Sequence, residues 1–105
     1  MTMPPLDLSR DLNELKPGIV ALRRALHQHP ELAFEEVWTA ATLAERMRAL
    51  GLAVQDGIGG TGVLAMLEGA RPGNTLLMRA DIDALPMDET TGREYASDQR
   101  PGAVP

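Results

Sequence analysis

The sequence predicts an α/β fold in which two helices precede a mixed sheet that contains a hairpin. Three observations predict it: helical spacing of apolar residues in two segments before Gly51, short apolar runs after it, and turn residues between those runs. A chain of 105 residues fits one small domain with a single modest core, burying roughly two-thirds of the surface its unfolded form exposes.

Leu15, Ile19, Leu22 and Leu26 step by four, three and four, which lines one face of a helix, while Arg23, Arg24 and Gln28 fall elsewhere. Pro17 is tolerated near the first turn, where its missing N–H is not needed, and Pro30 drives His29 out of helical geometry. The first helix is therefore expected over about Asn13 to Gln28. A second is expected from about Glu36 to Leu50, with Ala40, Leu43, Ala44, Met47 and Leu50 on one face. Gly51 stops it, because glycine accepts the left-handed conformation of a Schellman cap and Leu52 can then touch Met47.

After Gly51, Leu52 to Gln55, Val63 to Leu67 and Thr75 to Ala80 read as strands. Arg71-Pro72-Gly73-Asn74 lies between the last two, with proline and glycine at the central positions of a turn, so a hairpin is expected there. Beyond Pro86 the chain is polar with little periodicity. The expected organisation is one partial domain, about 12–86 ordered as α/β and 87–105 mostly loop.

Composition narrows the function. Hydrophobic residues at 44% and charged residues at 24% are ordinary for a soluble globular chain, so neither a disordered tail nor a membrane protein is expected. A net charge of -5 disfavours nucleic acid and anionic membrane as partners and favours a small metabolite. There is no cysteine, which removes disulfides, thiolate nucleophiles and cysteine-based metal sites together. Met1 to Arg10 lacks the pattern of a secretory signal, and no apolar run reaches the ~20 residues of a membrane span, so the expected location is cytoplasmic.

Gly57-Ile58-Gly59-Gly60-Thr61-Gly62 satisfies the G-x-G-x-x-G pattern of dinucleotide sites. That chemistry needs a helix directly after the third glycine, so that its N–H groups face the pyrophosphate. Val63 to Glu68 would span only about 9 Å as a helix, too short for a parallel crossover. A turn between strands fits better, and the dinucleotide reading stands as the weaker alternative.

The informative segment is Arg79-Ala80-Asp81-Ile82-Asp83-Ala84-Leu85-Pro86, directly after an apolar strand. Sites in open α/β sheets form at the carboxyl ends of strands. Acids placed there can orient a metal-bound imidazole, ligate a hard cation or act as a general base; the structural alternative is a turn capped by an Asp side chain.

Several segments together resemble one family. They are Leu22-Arg23-Arg24, Leu26-His27-Gln28-His29-Pro30-Glu31-Leu32 with Phe34-Glu35-Glu36, the glycine turn at 57–62, and Arg79 to Pro86. In this order and spacing, over about Leu22 to Ser97, the sequence is similar to the metal-dependent amidohydrolase and aminoacylase family. That family includes hippurate hydrolase, N-acyl-amino-acid amidohydrolases and auxin-conjugate hydrolases. The resemblance implies the N-terminal part of a zinc-peptidase-like catalytic domain, incomplete here, with the family's inserted dimerisation domain absent. It also implies hydrolysis of the amide bond of N-acyl amino acids with a divalent metal pair (Zn, Mn, Co or Ni). Asp83 matches the aspartate of the family's Asp-x-x-Pro segment, where it supports the metal site. Asp81 falls where more distant relatives carry a ligand histidine. The family continues into a Cys-Gly-His-Asp-Gly-His motif that this chain lacks. A truncated or frame-shifted product is therefore expected, inactive alone and binding no metal itself.

His27 and His29 stand at i and i+2, on nearly opposite sides of a helix, so they do not share a metal while helical; placement against the negative end of the helix dipole is the favoured reading. Glu35 and Glu36 are expected as first-turn acids of the next helix, and Met66 and Met78 as core filling. A different class of function is also open: a small interaction module that self-associates through an exposed sheet edge.

Overall fold

The computed structural model describes residues 5–97, which form α1 (Ser9–Gln28), α2 (Val37–Ala49), β1 (Ala53–Ile58) and β2 (Gly62–Met66) in that order. The α/β class, with two helices leading into a hairpin, stands.

Helix α1 starts four residues before the expected Asn13, and Pro17 lies inside it rather than in its first turn. The start is fixed locally: the backbone N–H of Ser9 donates to Asp7 Oδ1 at 2.9 Å. The Asp7 carboxyl is held below its ordinary range by the side-chain and backbone hydrogen bonds of Ser9. Pro17 removes only one bond of the ladder, and the surrounding turns are solvent-exposed and free to adjust. The expected apolar face is real but only half covered, since Leu22 and Leu26 are half-buried while Leu15 and Ile19 remain exposed. At the far end, His29 leaves helical geometry before Pro30, as expected.

Helix α2 closes in the anticipated cap. Gly51 adopts φ 87°, its N–H donates to the Arg48 carbonyl at 2.9 Å, and the Leu52 N–H donates to the Met47 carbonyl at 3.2 Å. This is the double bond pattern of a Schellman motif. The helix packs on both strands, and its small residues Ala40 and Ala44 form the buried apolar core of the described residues.

The hairpin is not where the Pro72-Gly73 pair suggested. It joins β1 to β2 antiparallel, pairing Ala53 with Met66, Val54 with Ala65 and Gln55 with Leu64, with an irregularity before Ile58 pairs with Gly62. Reversal falls in the glycine turn because Gly57, Gly59 and Gly60 all take positive φ. Gly62 is required for a different reason: a Cβ there would lie 2.5 Å from the Ile58 carbonyl oxygen. The segment after Gly62 is thus a strand, and the helix N-terminus needed to bind a pyrophosphate is not formed there.

The expected third strand, Thr75 to Ala80, pairs with no other strand among the described residues, so the sheet there is two-stranded and antiparallel rather than mixed. Its sequence gives the reason. Leu76, Leu77 and Met78 are successive apolar residues, each more than 80% exposed, and a run apolar on both sides suits a strand covered on both faces, not the half-solvated arm of a hairpin. Met66 and Met78, expected in the core, are exposed for the same lack of cover. The Cα radius of gyration, 17.0 Å, exceeds the ~13 Å of a closed 100-residue domain. The expected loop over 87–105 is described only to Ser97, without helix or strand; its remainder lies outside the described residues.

Candidate functional site

Asp81 and Asp83 sit on the segment that leaves the unpaired apolar run. The stretch Ala80 to Asp83 forms a wall shared by two cavities. The larger, about 760 Å³, lies toward the end of α1 and includes His27, His29, Glu31, Thr39 and Glu89. The smaller, about 370 Å³, lies toward the hairpin tip and includes Phe34, Glu36, Thr61 and Gly62. Both carboxylates are exposed, and Asp81 is engaged by Arg79 at 2.7 Å. Asp83, the residue carried forward from the sequence, is thus placed on a ridge open on both sides.

The turn between the helices supplies the support. The Glu31 carboxylate accepts the N–H of Thr39 at 2.6 Å and of Trp38 at 3.0 Å, occupying first-turn donors of α2. The Glu31 carbonyl accepts the N–H of Ala84, next to Asp83, at 2.8 Å. Glu36, expected as a first-turn acid, is instead the N-cap residue, is only 6% exposed and makes no side-chain cap bond. Its Oε2 accepts the Thr61 hydroxyl at 2.8 Å and its Oε1 the Glu35 N–H at 3.1 Å, which ties the start of α2 to the glycine turn.

The two histidines diverge, as their spacing required. His29 Nδ1 donates to the Ala25 carbonyl at 3.0 Å and its ring stacks on Trp38 with centroids 4.4 Å apart. His27 Nε2 donates to Glu89 Oε1 at 2.8 Å. Glu89 also accepts the Ser97 N–H at 2.6 Å and the Thr91 hydroxyl at 2.7 Å. These bonds, that of His27 foremost, hold the Glu89 carboxyl down to about 2. Sequence reasoning gave Glu31 no role of its own and missed Glu89. Glu31 lies five residues before the N-cap, outside the S/T-x-x-E capping pattern, and Glu89 finds its histidine 62 positions away.

Among the described residues no group of three His, Asp or Glu side chains stands where it could hold a metal ion.

Comparison with known proteins places this arrangement. No protein-family model matches the sequence. The chain is 41% identical over 91 residues to thermostable carboxypeptidase 1 of Saccharolobus solfataricus, covering 86% of this chain and 23% of that protein. It is 39% identical over 98 residues to the N-acyl-L-amino acid amidohydrolase of Geobacillus stearothermophilus, covering 93% of this chain and 26% of that protein. The fold superimposes with a TM-score of 0.77, at 35% identity, on a dinuclear metal-binding peptidase of the M20 family from Bacillus subtilis, covering 84% of this chain and 25% of that one.

An extended segment that carries Asp81 and Asp83, beside two helices and a glycine-tipped hairpin, makes up part of an α/β domain. Over more than four-fifths of its length the chain is similar in sequence to amidohydrolases and carboxypeptidases and in fold to an M20-family peptidase. It spans about a quarter of the length of the relatives it matches.

Proposed function

We propose that this chain supplies the Asp83 support to the active site of an enzyme that hydrolyses the amide bond of N-acyl amino acids. The observation that carries the reading is the position of Asp83 at the end of the unpaired apolar run, on a wall shared by two cavities. A carboxylate there accepts a hydrogen bond from an imidazole contributed by the rest of such an enzyme, fixing which ring nitrogen remains free. When bound by that larger site, a divalent pair would supply Lewis-acid polarisation of the amide carbonyl and a more acidic water. The described residues hold Asp83 in place but do not complete that site.

Substituting this chain for the matching quarter of the Geobacillus stearothermophilus amidohydrolase tests the reading. The chimaera is expected to hydrolyse an N-acyl amino acid when loaded with divalent metal, while the 105-residue chain alone shows no turnover. A soluble, folded chimaera that takes up metal without hydrolysis would contradict it.

A second reading rests on Leu76, Leu77 and Met78, which stand more than 80% exposed on a segment with no strand partner among the described residues. Unpaired, apolar backbone is a template for strand addition, so this chain self-associates when nothing else covers it. Light scattering over a concentration series reads this directly; a monomer at every concentration would contradict it.

A further inference from the structure

We propose that Glu31 is the positioning residue for Asp83, holding it through two separate hydrogen-bonding ends of one residue. The proposal rests on the role just given to Asp83 and concerns how that carboxylate is kept in place.

At one end, both oxygens of the Glu31 side chain are committed, Oε1 to the Thr39 N–H at 2.6 Å and Oε2 to the Trp38 N–H at 3.0 Å. A charged acceptor bound to two orphan donors at the positive end of a helix is a strong and directional anchor. The N-cap residue Glu36 leaves these donors untouched, because its carboxylate is committed to Thr61 and Glu35. Glu31 therefore fixes its own backbone relative to α2, the helix that carries the core.

At the other end, the Glu31 carbonyl accepts the Ala84 N–H at 2.8 Å. This backbone hydrogen bond links the segment beyond β2 to the turn that precedes α2. Asp83 is the adjacent residue, and without strand pairing of 75–80 its backbone has no ladder to locate it. The path from the α2 first turn to Asp83 runs through a side chain and a carbonyl of the same residue. Loss of the side-chain anchor loosens the carbonyl, and the carbonyl in turn loosens Asp83.

Nuclear magnetic resonance of the isotopically labelled 105-residue chain tests this. The wild type is expected to show a through-hydrogen-bond coupling between the Ala84 nitrogen and the Glu31 carbonyl carbon. Glu31→Ala is expected to abolish it and to speed amide exchange at Ala84 about tenfold, the scale of one lost hydrogen bond, while hairpin amides such as Gln55 keep their rates. Glu31→Gln, which retains one acceptor oxygen, is expected to restore part of the coupling. The proposal is overturned if the wild type lacks the coupling, if Ala84 exchange is unchanged in Glu31→Ala, or if both variants speed hairpin and Ala84 amides alike. In the chimaera described above, Glu31→Gln is expected to lower kcat with KM unchanged. An inactive wild-type chimaera would instead count against the role of Asp83, leaving the coupling result intact.

Discussion

His27 Nε2 and Glu89 Oε1 meet at 2.8 Å, joining the last turn of α1 to a residue 62 positions further on. Around this pair the Arg24 guanidinium lies 4.3 Å over the Tyr95 ring, and the His27 ring meets Tyr95 edge-on at 6.0 Å. Together they dock residues 89–97 on α1, on one side of the larger cavity.

Acid is expected to release this docked segment. Glu89 is held at about 2 against an ordinary 4.5, so the undocked carboxylate binds a proton more readily than the docked one. The docking contribution is complete above pH about 4.5 and is lost as pH falls from there through about 2. His27 from α1 and Thr91 and Ser97 from the segment itself face the carboxylate, with Arg24 near Tyr95. Tyr95 ring resonances followed by acid titration check this. Glu89→Gln should remove the low-pH step, and an unchanged step in that variant would contradict the assignment.

Gly62→Ala is expected to destabilise the hairpin by about 1–3 kcal/mol, the range for overpacking against rigid backbone. The new Cβ would lie 2.5 Å from the Ile58 carbonyl oxygen, which cannot move without disturbing the Ile58–Gly62 pair. Gly73→Ala meets nothing within 4 Å and should fall within about 0.5 kcal/mol of wild type. Denaturant titration of both variants separates the two outcomes.

Gly18→Ala is expected to stabilise α1 by about 0.5–1 kcal/mol, because an alanine in a helix interior loses less conformational freedom on folding. Its Cβ would meet nothing within 4 Å. Far-ultraviolet circular dichroism should show more helix at a given temperature; less helix would indicate packing of Gly18 that the structure does not contain.

Phe34→Gly is expected to be neutral or stabilising, by up to about 1 kcal/mol. Phe34 takes φ 67° at the turn closed by the Glu35 N–H on the Leu32 carbonyl at 2.9 Å, and its side chain is 81% exposed. Relief of about 1–2 kcal/mol of left-handed strain outweighs the roughly 0.4–1 kcal/mol that glycine costs through the unfolded chain. Loss of more than that in a thermal melt would show that the Phe34 ring packs on something.

Both helices and their C-terminal ends were legible from sequence because the signals are local: Pro30 and Gly51 act within a few residues of the bonds they break or cap, whereas the start of α1 at Ser9 lies four residues before the expected one. The turn at 57–62 was legible as a turn between strands, but that the antiparallel pairing falls there and not at Arg71 to Asn74 was not. Gly57 to Gly62 and Arg71 to Asn74 both carry turn residues, and the choice between them depends on whether the 75–80 run has neighbours on both sides. Asp83 was singled out only through ordered motifs that resemble a family's, and its role belongs to the proposal made above. Glu31 was named among those motifs, yet its reach to Trp38, Thr39 and Ala84 exists only once α2 and the strand end are folded together. Glu89 carries no motif, and its partners are gathered by tertiary structure from α1 and from the segment's own end.

The most direct test of the account is turnover of an N-acyl amino acid by the chimaera carrying Asp83→Asn. Asparagine keeps the size but loses the charge that orients an imidazole donor, so hydrolysis should fall roughly 10–100-fold relative to the unmodified chimaera, with divalent metal affinity reduced on a similar scale. Equal turnover and equal metal affinity in the two proteins would contradict the role given to Asp83.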